Sequence, residues 1–215
     1  MEAGKTRAPY AYILPKQRDM TRAAEMVRIL RVQRSEVGLA TAPIKVGDST
    51  YAAGSYVIKL DQPYGRLAKN LLEKQQFPDA RLTTYDDSGW SMGWAFNVAV
   101  REIADSTILK ATTTPVTTDG LAGRTVGEGK AGIAVAHLGS NNMIAFRYAL
   151  RDVPMQVTEK TFIVDSVEFP AGTFLVTDAK AAARVRAAVE TFGLTPKALH
   201  QLPPVATHAP DLPPV

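Results

Sequence analysis

The densest group of side chains with chemical potential lies in the run YDDSGW at residues 85–90. Asp86 and Asp87 are adjacent, and paired carboxylates serve acid–base catalysis or ligate a hard cation. Trp90 and Trp94 follow at a spacing that would let two indoles stack on a sugar or a peptide ring. The alternative is structural, because Asp and Ser before Gly-Trp form turns and tryptophans at helical spacing anchor cores. Of the residues in this run, Asp86 and Trp90 are the candidates for ligand binding.

A second candidate site is HLGSNN at residues 137–142, where a predicted strand ends and a helix begins. Open α/β sheets bind ligands at such strand ends, since free backbone N–H groups and the helix dipole face the crevice. His137, Ser140, Asn141 and Asn142 would receive a small polar or peptide ligand there. Helix capping alone also explains Ser140 and Asn141.

Metal and phosphate chemistry find little support in the sequence. Cysteine is absent, which excludes thiolate ligands, a cysteine nucleophile and disulfides. None of the three histidines begins a pair with a carboxylate and a further histidine, as a zinc hydrolase requires. The run GEGK at residues 127–130 lacks the glycine five positions before Gly129 and the hydroxyl after the lysine that a Walker loop needs. The sequence predicts no metal site and assigns no catalytic residue.

A repeated phrase indicates the architecture. YAAGSYVIK at residues 51–59 matches FPAGTFLVT at 169–177 in its order of aromatic, small, hydroxyl and β-branched residues, and 118 positions separate Gly54 from Gly172. An apolar run and a helical period precede each copy, and a further helical period follows it. The pattern predicts an α/β fold, with two similar strand-helix-hairpin-helix units around a mixed sheet. A glycine in each copy predicts a turn.

The same reading divides the chain into four parts. They are a first unit at residues 1–76, a connecting segment with the aromatic stretch at 77–130, a second unit at 131–202, and a proline-rich tail at 203–215. The tail is predicted to be a polyproline-type linker.

Composition limits the class of protein. The 215 residues are 46% hydrophobic and 21% charged, which is typical of a globular chain. The net charge is +4, and the densest basic stretch, between Lys16 and Arg34, is spread around the polar face of a predicted helix without interleaved aromatics, so a nucleic-acid partner is not expected. Neither a signal-peptide core nor a window of 18 apolar residues occurs, so we expect no membrane segment and a soluble chain.

Four phrases together resemble a known family. In order they are AGSYVIKLDQPYGRLAKNLLEKQQFP, YDDSGW, HLGSNNMIAFRYAL and FPAGTFLV. They resemble the region downstream of the catalytic domain in large bacterial proteins of the zinc carboxypeptidase (carboxypeptidase A type) family. The tail DLPPV is similar to the lead into a domain like the class I glutamine amidotransferases.

The resemblance implies a parent protein that hydrolyses peptide bonds at a zinc ion and is periplasmic or secreted. It also implies two partners, a catalytic carboxypeptidase-like domain and possibly an amidotransferase-like domain. The family's H-x-x-E pair and distant histidine match no positions here, so no cofactor is expected in this chain and zinc belongs to the parent alone. A fragment, a split gene or a retained accessory region would each give this pattern.

Three functions follow as hypotheses. The first is a non-catalytic α/β accessory region of a carboxypeptidase-like protein. The second is a stand-alone binding module for a small polar or peptide ligand at the crevice near His137 to Asn142. The third is an autonomous enzyme, either amidotransferase-like or an acid–base hydrolase that uses Asp86 or Asp87, although no nucleophile and base are paired in the sequence.

Overall fold

The computed structural model describes residues 2–75, 81 and 90–210, which form two compact units divided after Gly120. The helices of the first unit are α1 (Glu2–Thr6), α2 (Met20–Val32), α3 (Gly65–Leu72) and α4 (Met92–Ala95), with a 3-10 turn at Ser106–Lys110. Its strands are β1 (Ala11–Leu14), β2 (Gly38–Leu39), β3 (Ile44–Val46), β4 (Ser49–Tyr51), β5 (Tyr56–Lys59), β6 (Arg101–Ile103) and β7 (Thr114–Pro115). Five of them form a sheet in the order β6-β1-β5-β2-β7, and β3 and β4 form a separate hairpin.

The second unit repeats this plan. Its helices are α5 (Asn141–Ala149) and α6 (Ala182–Phe192), the latter preceded by a 3-10 turn at Ala179–Ala181. Its strands are β8 (Gly132–Val135), β9 (Gln156–Thr158), β10 (Phe162–Val164), β11 (Val167–Phe169), β12 (Phe174–Val176), β13 (Lys197–Leu199) and β14 (Thr207–His208). The sheet order is β13-β8-β12-β9-β14, and β10 and β11 form the hairpin. The α/β class and the duplication are confirmed.

The two copies agree down to the register of their central strands. Tyr56 of β5 lies opposite Leu14 of β1 in the first unit. Phe174 of β12, at the matching place in the repeat, lies opposite Val135 of β8 in the second unit. The duplication seen in the sequence is therefore a duplication of one hydrogen-bonded frame.

The prediction of one mixed sheet needs correction. Each unit has its own sheet, and all strand pairings in both sheets of the described chain are antiparallel. A parallel contact occurs as an isolated bridge between Val126 and Lys197. The reason is the position of β5: β1 and β2, joined by helix α2, do run parallel, but β5 lies between them and pairs with both in the opposite direction. Strand β12 separates β8 from β9 in the same way.

Alternation along the central strands gives each sheet two apolar faces. On β1, Tyr12 and Leu14 pack with the helices, whereas Ala11 and Ile13 pack with the hairpin. In the second unit Val135 packs with the helices and Ala134 with the hairpin. Each unit therefore has three layers, with helices on one side of the sheet and a hairpin on the other.

The repeated glycines make the predicted turn. Gly54 and Gly172 have φ values of +87° and +85°, a region that favours glycine because a Cβ atom is strained there. The residue after each glycine is a fully buried hydroxyl, Ser55 in one copy and Thr173 in the other. Ser55 Oγ donates to the Ala52 carbonyl and Thr173 Oγ1 to the Pro170 carbonyl, each at 2.7 Å. The hydroxyl thus closes the same turn in both units.

The boundaries of the parts differ from those predicted. Strands β6 and β7, which fall in the connecting segment, complete the first sheet. Strand β14, which falls in the proline-rich tail, pairs with β9 in the second sheet. Strands of two or three residues carry too few side chains to show a period, so the sequence did not reveal them.

Candidate functional site

A cleft of about 570 Å³ lies in the first unit, between the outer strand β6, helix α4 and the end of helix α3. Its volume falls within the range of about 300–1,000 Å³ that is usual for ligand sites. Five consecutive residues, from Val98 to Glu102, border it, so the backbone that leads into and along β6 forms one wall.

The floor of the cleft contains a buried tyrosine bonded to a carboxylate. Tyr12 is 1% exposed, and its hydroxyl donates to Glu102 Oε2 at 3.0 Å. The two residues are direct cross-strand partners in the β1–β6 ladder, which is why they meet although 90 positions separate them. Burial raises the pKa of Tyr12 above its usual range, and the nearby Glu102 carboxylate raises it further. Tyr12 therefore remains a neutral hydrogen-bond donor at physiological pH.

Helix α4, which also lines the cleft, presents an indole to solvent. Trp94 on α4 is 71% exposed, and Lys74 Nζ lies 4.9 Å from the centroid of its ring. A lysine at this distance forms a cation–π contact, which holds the ring in place. A tryptophan so exposed buries little surface within its own unit, so its apolar face is available to a ligand.

Two residues in the left-handed backbone region flank α4 and fix its position beside the cleft. Ser91 and Asn97 have φ values of +51° and +52°, which are uncommon for residues other than glycine. Ser91 Oγ accepts a hydrogen bond from Gln75 N at 3.0 Å and contacts the Glu73 carbonyl at 3.3 Å. Strained residues of this kind collect at sites where the chain must present particular groups.

Charges of both signs line the cleft. Glu73 and Glu102 provide carboxylates, while Lys74 and Arg101 provide cations. With the Trp94 face and a strand backbone, the cleft offers a contact for each group that a peptide displays, namely amides, charged ends and apolar side chains.

The candidate ligand-binding residues of HLGSNN, at positions 137–142, lie in the second unit at the turn before helix α5 and at the start of that helix. His137 is exposed, and its Nδ1 accepts a hydrogen bond from Gly139 N at 3.2 Å. Ser140 is a buried N-cap whose carbonyl accepts from Met143 N. Asn142 Nδ2 donates to the Phe192 carbonyl at 2.7 Å and so ties α5 to the end of α6.

Asn141 is the exposed first residue of α5. Together with His137, Ser140 and Asn142, it belongs to the turn before α5 and the first residues of that helix. Ligand binding at this crevice stays a prediction.

The aromatic run is described only in part. Asp86 and Asp87 lie outside the described residues, so their predicted role stays a prediction. Trp90 is half-buried and directly precedes Ser91 at the cleft. Tyr12, Arg101 and Glu102 were missed, because the pairing of β1 with β6 is what brings them together. Lys74, which follows α3, was missed because its contact with the Trp94 ring is a tertiary one.

Metal-binding and membrane-spanning features were sought in the described chain. Within residues 2–75, 81 and 90–210, no three His, Cys, Asp or Glu side chains gather as a metal site would require. In the same ranges, no helix has the length and apolar character to cross a bilayer.

Comparison with known proteins gives no relative. No protein-family model, no curated protein and no solved structure matches this chain. Function therefore has to be argued from the site.

Proposed function

We propose that this chain is a non-catalytic accessory module of a peptidase-like protein and that it binds a short extended peptide in the cleft of its first unit. The observation that carries the proposal is the exposed indole of Trp94, which contacts Lys74 and lines the same cleft as the residues of an outer strand.

The outer strand supports a peptide as the ligand. Strand β6 pairs with β1 and, among the described residues, with no other strand. An outer strand presents backbone N–H and C=O groups, and an extended peptide satisfies them by adding a strand. Because the residues from Val98 to Glu102 border the cleft without interruption, a peptide lying in it runs beside this backbone.

The indole and the charges would supply affinity and direction. An aromatic or proline side chain of the peptide stacks on Trp94, the residue type that most often dominates binding energy at interfaces. Arg101 and Lys74 attract acidic groups of the peptide, and Glu73 attracts basic ones. A cleft of about 570 Å³ accommodates a few residues rather than a folded domain.

The accessory role rests on the resemblance in sequence. A parent that hydrolyses peptide bonds at a zinc ion would gain from a module that holds the polypeptide near its catalytic domain. The zinc site and the catalytic domain belong to that parent in this proposal, and this chain contributes substrate contacts alone.

The test is a binding titration with a panel of unstructured hexapeptides that vary in aromatic content and charge, followed by calorimetry. We expect aromatic peptides to bind and Trp94→Ala to weaken binding by about 30-fold, the loss of a strong interface anchor. Because Trp94 is 71% exposed, the same substitution leaves the unfolding midpoint nearly unchanged.

A matched control is Ile163→Ala, which removes a 68% exposed apolar side chain from the second unit and should leave the affinity as it is. The proposal fails if no peptide of the panel binds, or if Trp94→Ala and Ile163→Ala bind equally well.

A further inference from the structure

A second concavity of the first unit shares no lining residue with the peptide cleft. It is an apolar groove of about 310 Å³ between helix α1, the start of helix α3 and the residue that follows β5. Its floor is formed by Ala3, Gly4, Ala8, Pro9, Leu60 and Gly65. The volume is at the lower end of the range for ligand sites, which suits a single apolar group with a small head group.

The floor is fixed by backbone contacts. A Cβ atom on Gly4 would lie 2.0 Å from the Leu60 carbonyl oxygen, and one on Gly65 would lie 2.1 Å from it. The Leu60 N–H in turn donates to the Tyr10 carbonyl at 2.9 Å. Both glycines therefore press directly on the Leu60 carbonyl, and the groove is part of the folded frame rather than a gap between mobile side chains.

The rim of the groove is cationic. Arg7, Arg66 and Lys69 line it, and no carboxylate is among the described residues that do so. Lys69 forms an ion pair with Glu73. Arg7 and Arg66 are exposed and have no ion-pair partner within the part of the chain that the structure describes. Two guanidinium groups thus border an apolar floor.

We propose that this groove binds an apolar group that ends in a carboxylate. The apolar part lies on the Ala3–Pro9 floor, and the carboxylate accepts charge-assisted hydrogen bonds from the guanidinium groups of Arg7 and Arg66, whose planar donor pairs match its geometry. A fatty acid and the C-terminal residue of a peptide share this chemistry.

Calorimetric titration of the full chain tests the proposal with two carboxylates, decanoate and N-acetyl-alanyl-leucine, and with their neutral counterparts, decanol and the peptide amide. We expect at least one carboxylate to bind, and its neutral counterpart to bind about tenfold more weakly because the charge-assisted bonds are lost. Binding of decanoate alone assigns the site to a fatty acid, and binding of the acid peptide alone assigns it to a chain terminus.

Arg7→Gln and Arg66→Gln are each expected to weaken the bound carboxylate about tenfold. Arg186→Gln makes the same charge change on the exposed face of α6 and is expected to have no effect. Equal unfolding midpoints for the three variants show that folding is intact. The proposal is overturned if neither carboxylate binds, if the neutral analogues bind equally, or if both groove variants match the control.

The groove and the peptide cleft are separable in the same experiments. A hexapeptide amide that occupies the cleft should not displace a carboxylate from the groove. Loss of peptide-amide binding with retained carboxylate binding would therefore refute the proposed function and leave the groove proposal standing.

Discussion

A buried hydroxyl closes the repeated turn in both units, so the same hydrogen bond can be removed from each unit in turn. Ser55 Oγ donates to the Ala52 carbonyl at 2.7 Å and accepts from Lys16 N at 3.0 Å, so Ser55→Ala removes two hydrogen bonds. Lys16 N loses this partner, whereas the Ala52 carbonyl still accepts from Ser55 N at 3.2 Å. Thr173→Val removes one such bond, to the Pro170 carbonyl, and preserves the volume of the side chain.

The Pro170 carbonyl likewise keeps a bond from Thr173 N at 3.2 Å, so the penalty is that of a lost hydrogen bond, about 0.5–1.5 kcal/mol of unfolding free energy each. Lys16 is exposed, so water can reach its N–H and the lower end of that range applies there. Because Ser55→Ala removes two hydrogen bonds and Thr173→Val removes one, we expect a loss of about 1.5–2 kcal/mol for Ser55→Ala and about 1 kcal/mol for Thr173→Val. Ser55→Thr, which keeps the hydroxyl, is expected to lose less than Ser55→Ala.

The assay is urea unfolding of the whole chain followed by circular dichroism, together with hydrogen exchange of strand amides. Ser55→Ala should speed exchange in β1 and β5, and Thr173→Val should speed it in β8 and β12, because each hydroxyl lies within its own unit. Equal losses for the two variants, or no loss for either, would refute the argument that the number of hydrogen bonds removed sets the penalty.

Three further outcomes are expected. Because the pKa of Tyr12 is raised, its contribution to stability is complete below about pH 10 and is lost as the pH rises above that value. Tyr12→Phe should therefore weaken the alkaline decline of the urea unfolding midpoint, and an unchanged decline would contradict this prediction. Arg34 follows α2 with a φ of +64°, and Arg34→Gly should raise the unfolding free energy of the protein by about 1 kcal/mol, because glycine relieves the left-handed strain. A lower unfolding free energy of the variant in denaturant would contradict this. Hydrogen bonds from Arg184 lower the pKa of Asp152 to about 2, so the stabilising effect of Asp152 is present above about pH 4 and is lost as the pH falls toward 2. The stability of Asp152→Asn should therefore depend less on pH over that window in acid unfolding, and a curve identical to wild type would count against the prediction.

Much of the frame was predictable because its signals are local. The repeated phrase fixed the positions of the two turn glycines, and the apolar runs indicated β1 and β8. Asp19 caps α2, and its carboxylate accepts hydrogen bonds from Thr21 N and Arg22 N, a role typical of an Asp directly before a helix. Each of these depends on residues within one turn or one strand of each other.

Pairing between distant strands was not predictable in the same way. The insertion of β5 between β1 and β2 turned an expected mixed sheet into an antiparallel one, and no residue of the intervening helix signals that choice. The outer strands β7 and β14 consist of two residues each, too few to show alternation.

The candidate site could not be predicted from the sequence for the same reason. Trp94 was noticed for its spacing from Trp90, but its partners in the cleft come from other segments. Tyr12 reads in the sequence as one apolar residue of a buried strand. Its hydroxyl gains a role only because the β1–β6 register places Glu102 opposite it.

The shared register of the two sheets makes the second unit a natural recipient for transplanted binding groups. Strand β13 occupies, beside β8, the edge position that β6 occupies beside β1. A chimaera with the segment from Val98 to Ile103 grafted onto that edge would keep its backbone pairing. One copy of the frame would then serve as the donor and the other, whose strand β13 meets Val126 in a parallel bridge, as the recipient for building new recognition surfaces.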